Sequence, residues 1–343
     1  MSVQRRPKGS YFDLLTVDGC SRVFSAYDLG DVLAIESLIV ENNVIVNLLE
    51  RSETSRKTVV RTAAGSYFLK QIPWYCAEPA LVEFSASFAN ACAQEGLPVP
   101  MVHRTRAGAL FAEYDGGLFT VSDLAVGMLY NESLQQVVAS GDLLARMHRV
   151  GASCDLPAKG PITTTRGIAE EHIELARRIS KERCESTSVF DALCEMLDAV
   201  DCPHALQQYP VHGDFIPWNI AYNSDDSIAA LYDFDNASMD SRLHDVGEAL
   251  IAWAALDFSG RHAGLAPEIR CSIDESVSLR FLQAYELMAP LTSNERDALC
   301  SHVLGAWWEA LLLGYVKGEI PCSELDKLMD LPAAVEEWSK HVL

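Results

Sequence analysis

From Val44 to Ile72 apolar and polar positions alternate at short range, the texture of β-strands: VIVNLLE, then KTVVRT, then SYFLKQI. The links between them, SETSR and AAG, have the composition and length of turns, which predicts an antiparallel meander. The period then lengthens. In EPALVEFSASFANACAQEG (Glu78–Gly96) Leu81, Phe84, Phe88, Ala91 and Cys92 share one helical face, and Gly96 supplies the stop. LPVPMVHRTRAGALFAEYDGGLFTVSDL reads as further strands, with turns at Ala107–Gly108 and Gly116–Gly117. Upstream, Tyr27–Asn42 reads as a short helix and a strand packed on the same lobe.

Beyond Ala125–Gly127 the texture becomes helical. SLQQVVASGDLLARMHRVG, IAEEHIELARRISKERC and DALCEMLDAV read as helices, and DVGEALIAWAALDF, SVSLRFLQAYELM, NERDALCSHVLGAWWEALLLGYVKG and AAVEEWSKHVL continue them to the end. HGDFIPWNIAYN and IAALYDFDNA interrupt these helices as short strands and loops. The expected division is therefore an α+β chain of two lobes. Residues 1–125 make a small N-terminal lobe of antiparallel strands with one main helix, and residues 126–343 a larger, mostly helical C-terminal lobe. The adjacent Trp307 and Trp308 lie in an apolar helix and read as core.

Composition supports two lobes. The chain has 343 residues, more than a single core usually holds, and 49% of them are apolar. No uninterrupted apolar run reaches the roughly 18–20 residues of a membrane span. GEALIAWAALDF (Gly247–Phe258) carries Glu248 and Asp257 and reads as a buried helix. The N-terminal MSVQRRPKGSYFDLL lacks the apolar stretch and cleavage site of a secretory signal, so a cytoplasmic location is expected. Ten cysteines are scattered singly with no C-x-x-C pair, a pattern of reduced thiols rather than of disulfides or structural zinc. Acidic residues number 48 against 27 basic ones, a formal charge of −21. That argues against a nucleic-acid partner and suits attraction of a cationic substrate.

The chemistry-bearing residues cluster in two stretches. VHGDFIPWNI (Val211–Ile220) sets Asp214 five residues before Asn219, and LYDFDNA (Leu231–Ala237) brackets a phenylalanine with Asp233 and Asp235. Lys70 sits alone in the apolar strand YFLKQI, and Glu83 on the following helix is positioned to pair with it. Magnesium takes hard oxygen ligands, one or two carboxylates plus phosphates and water, and Asp233 and Asn219 offer a carboxylate and an amide oxygen. A lysine held by a glutamate neutralises phosphate charge, while Asp214 is placed to receive the proton of an attacking hydroxyl. Together these are the parts for binding a nucleoside triphosphate with Mg²⁺ and passing on its terminal phosphoryl group.

HGDFIPWNI followed by LYDFD resembles the signature of the aminoglycoside phosphotransferase family, which includes choline kinases and type II homoserine kinases and shares the protein-kinase fold. The resemblance runs from about Val44 to the C-terminal helices. It implies Asp214 as catalytic base, Asn219 and Asp233 as magnesium ligands, Lys70 with Glu83 on the phosphates of ATP, and Asp235 as an aid to metal or substrate. It also implies that ERSETSR (Glu50–Arg56) covers the phosphates through Ser52 and Ser55, although that loop has no glycine. The adenine hinge falls at Ser122–Ala125, through the C=O of Asp123 and the N–H of Ala125. His148 and His212 are expected to brace the catalytic loop, and Asp245 to cap and anchor a helix start.

The implied activity is ATP-dependent phosphorylation of a hydroxyl on a small, amine-bearing acceptor: aminoglycoside-like, choline-like or amino-acid-like. A Ser or Thr in a biosynthetic precursor peptide, phosphorylated before elimination, is a second acceptor class. A non-catalytic kinase-like protein that binds a nucleotide or partner is a rival from another class. The joint presence of the lysine, the catalytic aspartate and the metal aspartate weighs against that rival.

Overall fold

The structure is a computed structural model and describes residues 16–36, 44–45, 57–73, 76–156, 160–202, 205–257, 268–270 and 272–343. The chain opens with α1 (Val17–Phe24), β1 (Val32–Glu36), β2 (Val44–Ile45), β3 (Lys57–Thr62), β4 (Ser66–Gln71) and α2 (Pro79–Gln94). There follow β5 (Ala112–Tyr114), β6 (Gly117–Asp123), β7 (Gly127–Met128), α3 (Leu134–Ser153), α4 (Thr165–Glu182) and α5 (Ser188–Glu195). Next come β8 (Gln208–Val211), β9 (Ile220–Tyr222), β10 (Ile228–Leu231), β11 (Ser238–Ser241) and α6 (Leu243–Ala254). The C-terminal part holds β12 (Leu256–Asp257), β13 (Glu268–Ile269), α7 (Glu275–Met288), α8 (Ser293–Lys317) and α9 (Leu331–Val342).

Contacts divide the chain into two compact units that interleave along the sequence. The first takes in Met1–Tyr130, Ser153–Pro161 and Trp218–Ala237; the second Asn131–Ala152, Ile162–Pro217 and Ser238–Leu343.

In the first unit a five-stranded antiparallel sheet runs in the order β1-β3-β4-β6-β5. Val60, Leu69, Phe119 and Val121 of this sheet bury against Cys20, Val23, Phe24 and Tyr27. Those four residues recur at i, i+3, i+4 and i+7, the spacing of one helical face. The helix accordingly lies earlier than the sequence reading placed it, at Val17–Phe24, with Thr16 Oγ1 accepting the Gly19 N–H at 3.1 Å as its N-cap. Residues 37–43 and most of VIVNLLE lie outside the described residues. The α2 helix starts on Pro79 and stops at Gly96, whose φ of 78° glycine adopts without strain. LPVPMVHRT forms no strand beyond one bridge, Val102 to Ser122. Its prolines remove ladder donors, and Asn90 takes up the Val102 N–H and C=O at 2.7 and 2.9 Å instead. A second sheet in this unit has the order β10-β9-β7-β2.

The second unit is helical, with the β8–β11 pair as a small antiparallel sheet. The α4 and α6 helices each pack on α8, and Trp307 and Trp308 of α8 are fully buried, as their apolar setting predicted. By length and composition alone α8 is long and apolar enough to cross a membrane; 61% of its apolar window is buried, which makes it the core helix of the unit. Its N-terminus is a capping box of Thr292 and Glu295, and Arg242 at the start of α6 grips the same glutamate at 2.6 Å.

Candidate active site

The first unit contains an open hollow of about 590 Å³. Phe68, Ala86, Ala89, Val99 and Leu231 make its apolar wall, and Lys57, Lys70, Asp233 and Asp235 its charged part. Four ionisable groups meet there. Lys70 Nζ lies 2.5 Å from Asp233 Oδ1 and 2.6 Å from Asp235 Oδ2, and Lys57 Nζ lies 3.1 Å from Asp233 Oδ2. Both lysine side chains are under 10% exposed. Burial opposes the charge on Lys70, yet Asp233 and Asp235 hold its ammonium above the ordinary lysine range. Burial likewise works against Asp233, but Lys70 and Lys57 hold its carboxyl well below the usual carboxylate range. Burial leaves the Asp235 carboxyl above and the Lys57 ammonium below their usual ranges in spite of these partners, so the charge in the cluster is sustained by the four groups together.

Local backbone sets up the meeting. β3 and β4 pair with Lys57 directly opposite Lys70, and both ammonium groups reach Asp233. Asp233 has φ 65° and ψ 56°, the left-handed region that non-glycine residues seldom occupy. That turn sets both Asp233 and Asp235 against Lys70. Asn219 is buried at the far end of the β9–β10 hairpin, where its C=O accepts the Tyr232 N–H at 2.8 Å. The motif's asparagine is thus joined through its backbone to the residue that precedes Asp233.

The expected pairing of Lys70 with Glu83 is not formed. Glu83 accepts the Leu110 N–H at 3.2 Å and contacts Arg104 at 3.5 Å, and the α2 residues lining the hollow are Ser85, Ala86 and Ala89. The reason is rotational: Glu83 lies on a neighbouring face of α2, and the aspartates of the D-x-D segment take the lysine instead. At the expected hinge Ser122 lines the hollow, and the Asp123 N–H donates to the Met101 C=O at 3.0 Å. The Ala125 C=O accepts the Tyr232 hydroxyl at 3.0 Å. Ser52 and Ser55 lie outside the described residues.

In the second unit the Asp214 loop is tied to α6 by its backbone. Fully buried Asp245 accepts the Gly213 N–H on Oδ1 at 2.8 Å, and on Oδ2 the His212 N–H at 2.8 Å and the His148 Nε2–H at 2.9 Å. His148 Nδ1 meets the Tyr285 hydroxyl at 2.8 Å. Although burial pushes the Asp245 carboxyl upward, the hydrogen bond and charge of His148, then His244 and His212, bring it down to about 2. Gly213 has φ 71°, which glycine alone adopts freely. One residue beyond Asp214, the Phe215 N–H donates to Glu248 Oε2 at 2.7 Å. Burial, then Asp214, Glu309 and Asp245, push the Glu248 carboxyl well above its usual range.

Lys57 and Glu248 were not singled out from sequence. For Lys57 the signal was its register opposite Lys70, since like charges directly across a sheet repel unless an anion joins them. For Glu248 it was the three-residue spacing from Asp245 in an otherwise apolar helix, which puts two carboxylates on neighbouring positions of one face.

The model of the phosphotransferase enzyme family matches residues 46–292. The homoserine kinase of Methylobacillus glycogenes is 27% identical over 290 residues, 84% of this chain and 81% of its own length. Among solved structures, amicoumacin kinase hAmiN in complex with AMP-PNP, Ca²⁺ and Ami aligns with a TM-score of 0.61 at 13% identity, over 95% of this chain and 94% of that one. The aminoglycoside phosphotransferase of Alicyclobacillus acidocaldarius aligns with a TM-score of 0.58 at 15% identity, over 93% and 96%. The α+β architecture expected from the sequence, an antiparallel sheet in one unit and helices in the other, is the fold these proteins share. With its family pattern matched over most of its length, the chain belongs to the phosphotransferase enzyme family.

Proposed function

We propose that the chain is an ATP-dependent kinase that phosphorylates the hydroxyl of a small, amine-bearing acceptor, with homoserine the first candidate. The observation that carries this reading is the buried Lys57–Lys70–Asp233–Asp235 cluster beside an apolar wall, in a chain of this family. The apolar wall suits an adenine and the lysines suit phosphate oxygens. Two carboxylates that need two ammonium groups for balance form a donor set fit for a divalent cation, with the Asn219 amide as a further oxygen donor. Asn219, Asp233 and Asp235 would hold Mg²⁺, which supplies charge neutralisation on the phosphates when bound. Lys70 and Lys57 would then hold phosphate oxygens, and Ser122–Ala125 the adenine edge. Asp214 takes the acceptor's hydroxyl proton as that oxygen bonds to the γ-phosphorus and the bond to the β,γ-bridging oxygen breaks, leaving ADP.

Homoserine leads because the similar proteins so named align over four-fifths or more of this chain, and the acidic balance suits a cationic amine. The test is incubation with ATP and Mg²⁺ against homoserine, 3-aminopropan-1-ol, choline, an aminoglycoside and a Ser/Thr peptide library, read by mass. A phosphorylated small amine is the expected product; phosphate on the peptides alone moves the acceptor to that class. Asp214→Asn is expected to lower kcat about 10²–10⁴-fold with nucleotide affinity nearly unchanged. Equal turnover in the variant removes Asp214 from the chemistry.

A further inference from the structure

A second, narrower hollow lies within the second unit, among α4, α6 and α8. Thr165 and Ile168 line it from α4, His244 and Glu248 from α6, and His302 and Glu309 from α8. Gly305 and Ala306 complete its α8 side, so residues 302, 305, 306 and 309 form one stripe at i, i+3, i+4 and i+7. A Cβ on Gly305 would sit 2.2 Å from Thr165 Cγ2, so glycine there permits the close approach of α4 to α8. The hollow has room for about one water-sized group.

Several polar groups of its lining accept without a donor, while the His244 ring, 3.6 Å from Asp240, can donate. His302 is 97% buried, and its Nδ1–H must donate to the Ala298 C=O at 2.9 Å, because a carbonyl only accepts. Burial, against the help of that carbonyl, takes the imidazole down to about 4, so it is neutral and Nε2 is a bare acceptor. Nε2 has no hydrogen-bond partner among the described residues. The Thr165 hydroxyl, in a side chain 92% buried, likewise has none. Glu248 spends one oxygen on the Phe215 N–H, and among the described residues the cation nearest Glu309 is His172 at 3.7 Å. Glu309, a Glu248 carboxyl that burial and its acidic neighbours raise and that a bound cation would bring back down, a neutral imidazole nitrogen and an unpaired hydroxyl together suit a compact cationic donor with several N–H groups.

We propose that Glu248, Glu309, His302 and Thr165 form the subsite that takes the primary ammonium of the acceptor, and that its narrowness rejects a quaternary ammonium. Through the Glu248–Phe215 bond the subsite is anchored one residue from Asp214, which puts the bound amine next to the base that serves its hydroxyl. As an acceptor subsite it deepens the kinase reading and rests on it. His244, Asp245 and Glu248 present ligand atoms within 4.8 Å of one another, a spacing that also suits a metal ion. Asp245, however, already accepts three hydrogen bonds, which leaves it a poor ligand.

The subsite is tested on the full chain without nucleotide, by NMR titration with 3-aminopropan-1-ol, propane-1,3-diol and choline. The amine is expected to bind and to move the His302 imidazole signals, with the diol and choline about tenfold weaker or more. Glu309→Gln and the isosteric Thr165→Val are each expected to weaken the amine several-fold while retaining cooperative melting. Equal binding of amine and diol, or unchanged amine affinity in both variants, overturns the proposal. So does Zn²⁺ binding that involves His244 while the amine leaves the imidazole signals unmoved. A chain that binds the amine yet passes no phosphoryl group from ATP to any acceptor keeps the subsite and sinks the kinase reading.

Discussion

Lys57 and Lys70 face one another across two paired strands, and what keeps them together is the carboxylate of Asp233 between them. Lys70→Met removes two of the three ion pairs and leaves Asp235 without its own, a loss expected to cost about 3–5 kcal/mol of stability. Lys57→Met is expected to cost less, because Asp233 keeps Lys70. Urea unfolding with and without MgCl₂ reads both effects. Magnesium should stabilise the Lys70→Met protein more than the wild type, since the variant has carboxylates to spare; equal stabilisation speaks against the metal assignment. At this scale the sequence was legible where spacing carries chemistry. Asp233 and Asp235, singled out on the D-x-D that follows H-G-D-x-x-x-x-N, and Lys70, singled out as a lone cation in an apolar strand, do meet in the structure. Glu83 was misjudged because a helical pattern tells which residues share a face, not which neighbour that face meets. Lys57 went unnoticed because a lone strand lysine looks solvated until its partner strand is in register.

The element that matters most for the second unit is α6, whose carboxylates hold the backbone on either side of Asp214. Its seat on α8 depends on Gly247: a Cβ there would lie 2.7 Å from the His302 carbonyl oxygen and 3.1 Å from the Val303 nitrogen, both backbone atoms that cannot swing aside. Gly247→Ala is expected to destabilise by about 1–3 kcal/mol despite the better helix propensity of alanine. A chemical denaturation midpoint unchanged or raised would show that α6 and α8 have slack. The helices of this unit were readable from periodicity, whereas the Thr292–Glu295 capping box that opens α8 was not singled out from the sequence. The hollow among α4, α6 and α8 was not readable as such. Its stripe of His302, Gly305, Ala306 and Glu309 has the right spacing, but only packing shows that the stripe meets Glu248 and Thr165 from distant parts of the chain.

At the scale of the whole molecule, buried ionisable groups fix how stability depends on pH. His302 titrates at about 4 in the folded chain against an ordinary 6.5, so the unfolded chain alone takes up a proton between those values. Its contribution is present above 6.5 and is lost as pH falls toward 4, a loss of a few kcal/mol. Asp245, held at about 2 against 3.8, adds stability that is lost over the next interval, as pH falls from about 4 to 2. Glu248 runs the other way, because its raised carboxyl keeps a proton that the unfolded chain releases. The His302 slope is therefore read as the difference between wild type and His302→Gln in urea unfolding from pH 7 to pH 4. The variant is expected to have the flatter profile, and parallel profiles would show that His302 is solvated.

The interleaving of the two units bears on how the chain is made. Strands β3 and β4 leave the ribosome early, but Asp233 and Asp235 belong to a segment translated only after α3, α4 and α5. Until that hairpin emerges, the nascent sheet holds two opposed ammonium groups with no counter-ion from the D-x-D segment, and they favour water over the interior. The unit that comes first in sequence is thus among the last to mature, and a stalled or truncated product would present its apolar sheet to chaperones rather than a finished, charge-balanced hollow.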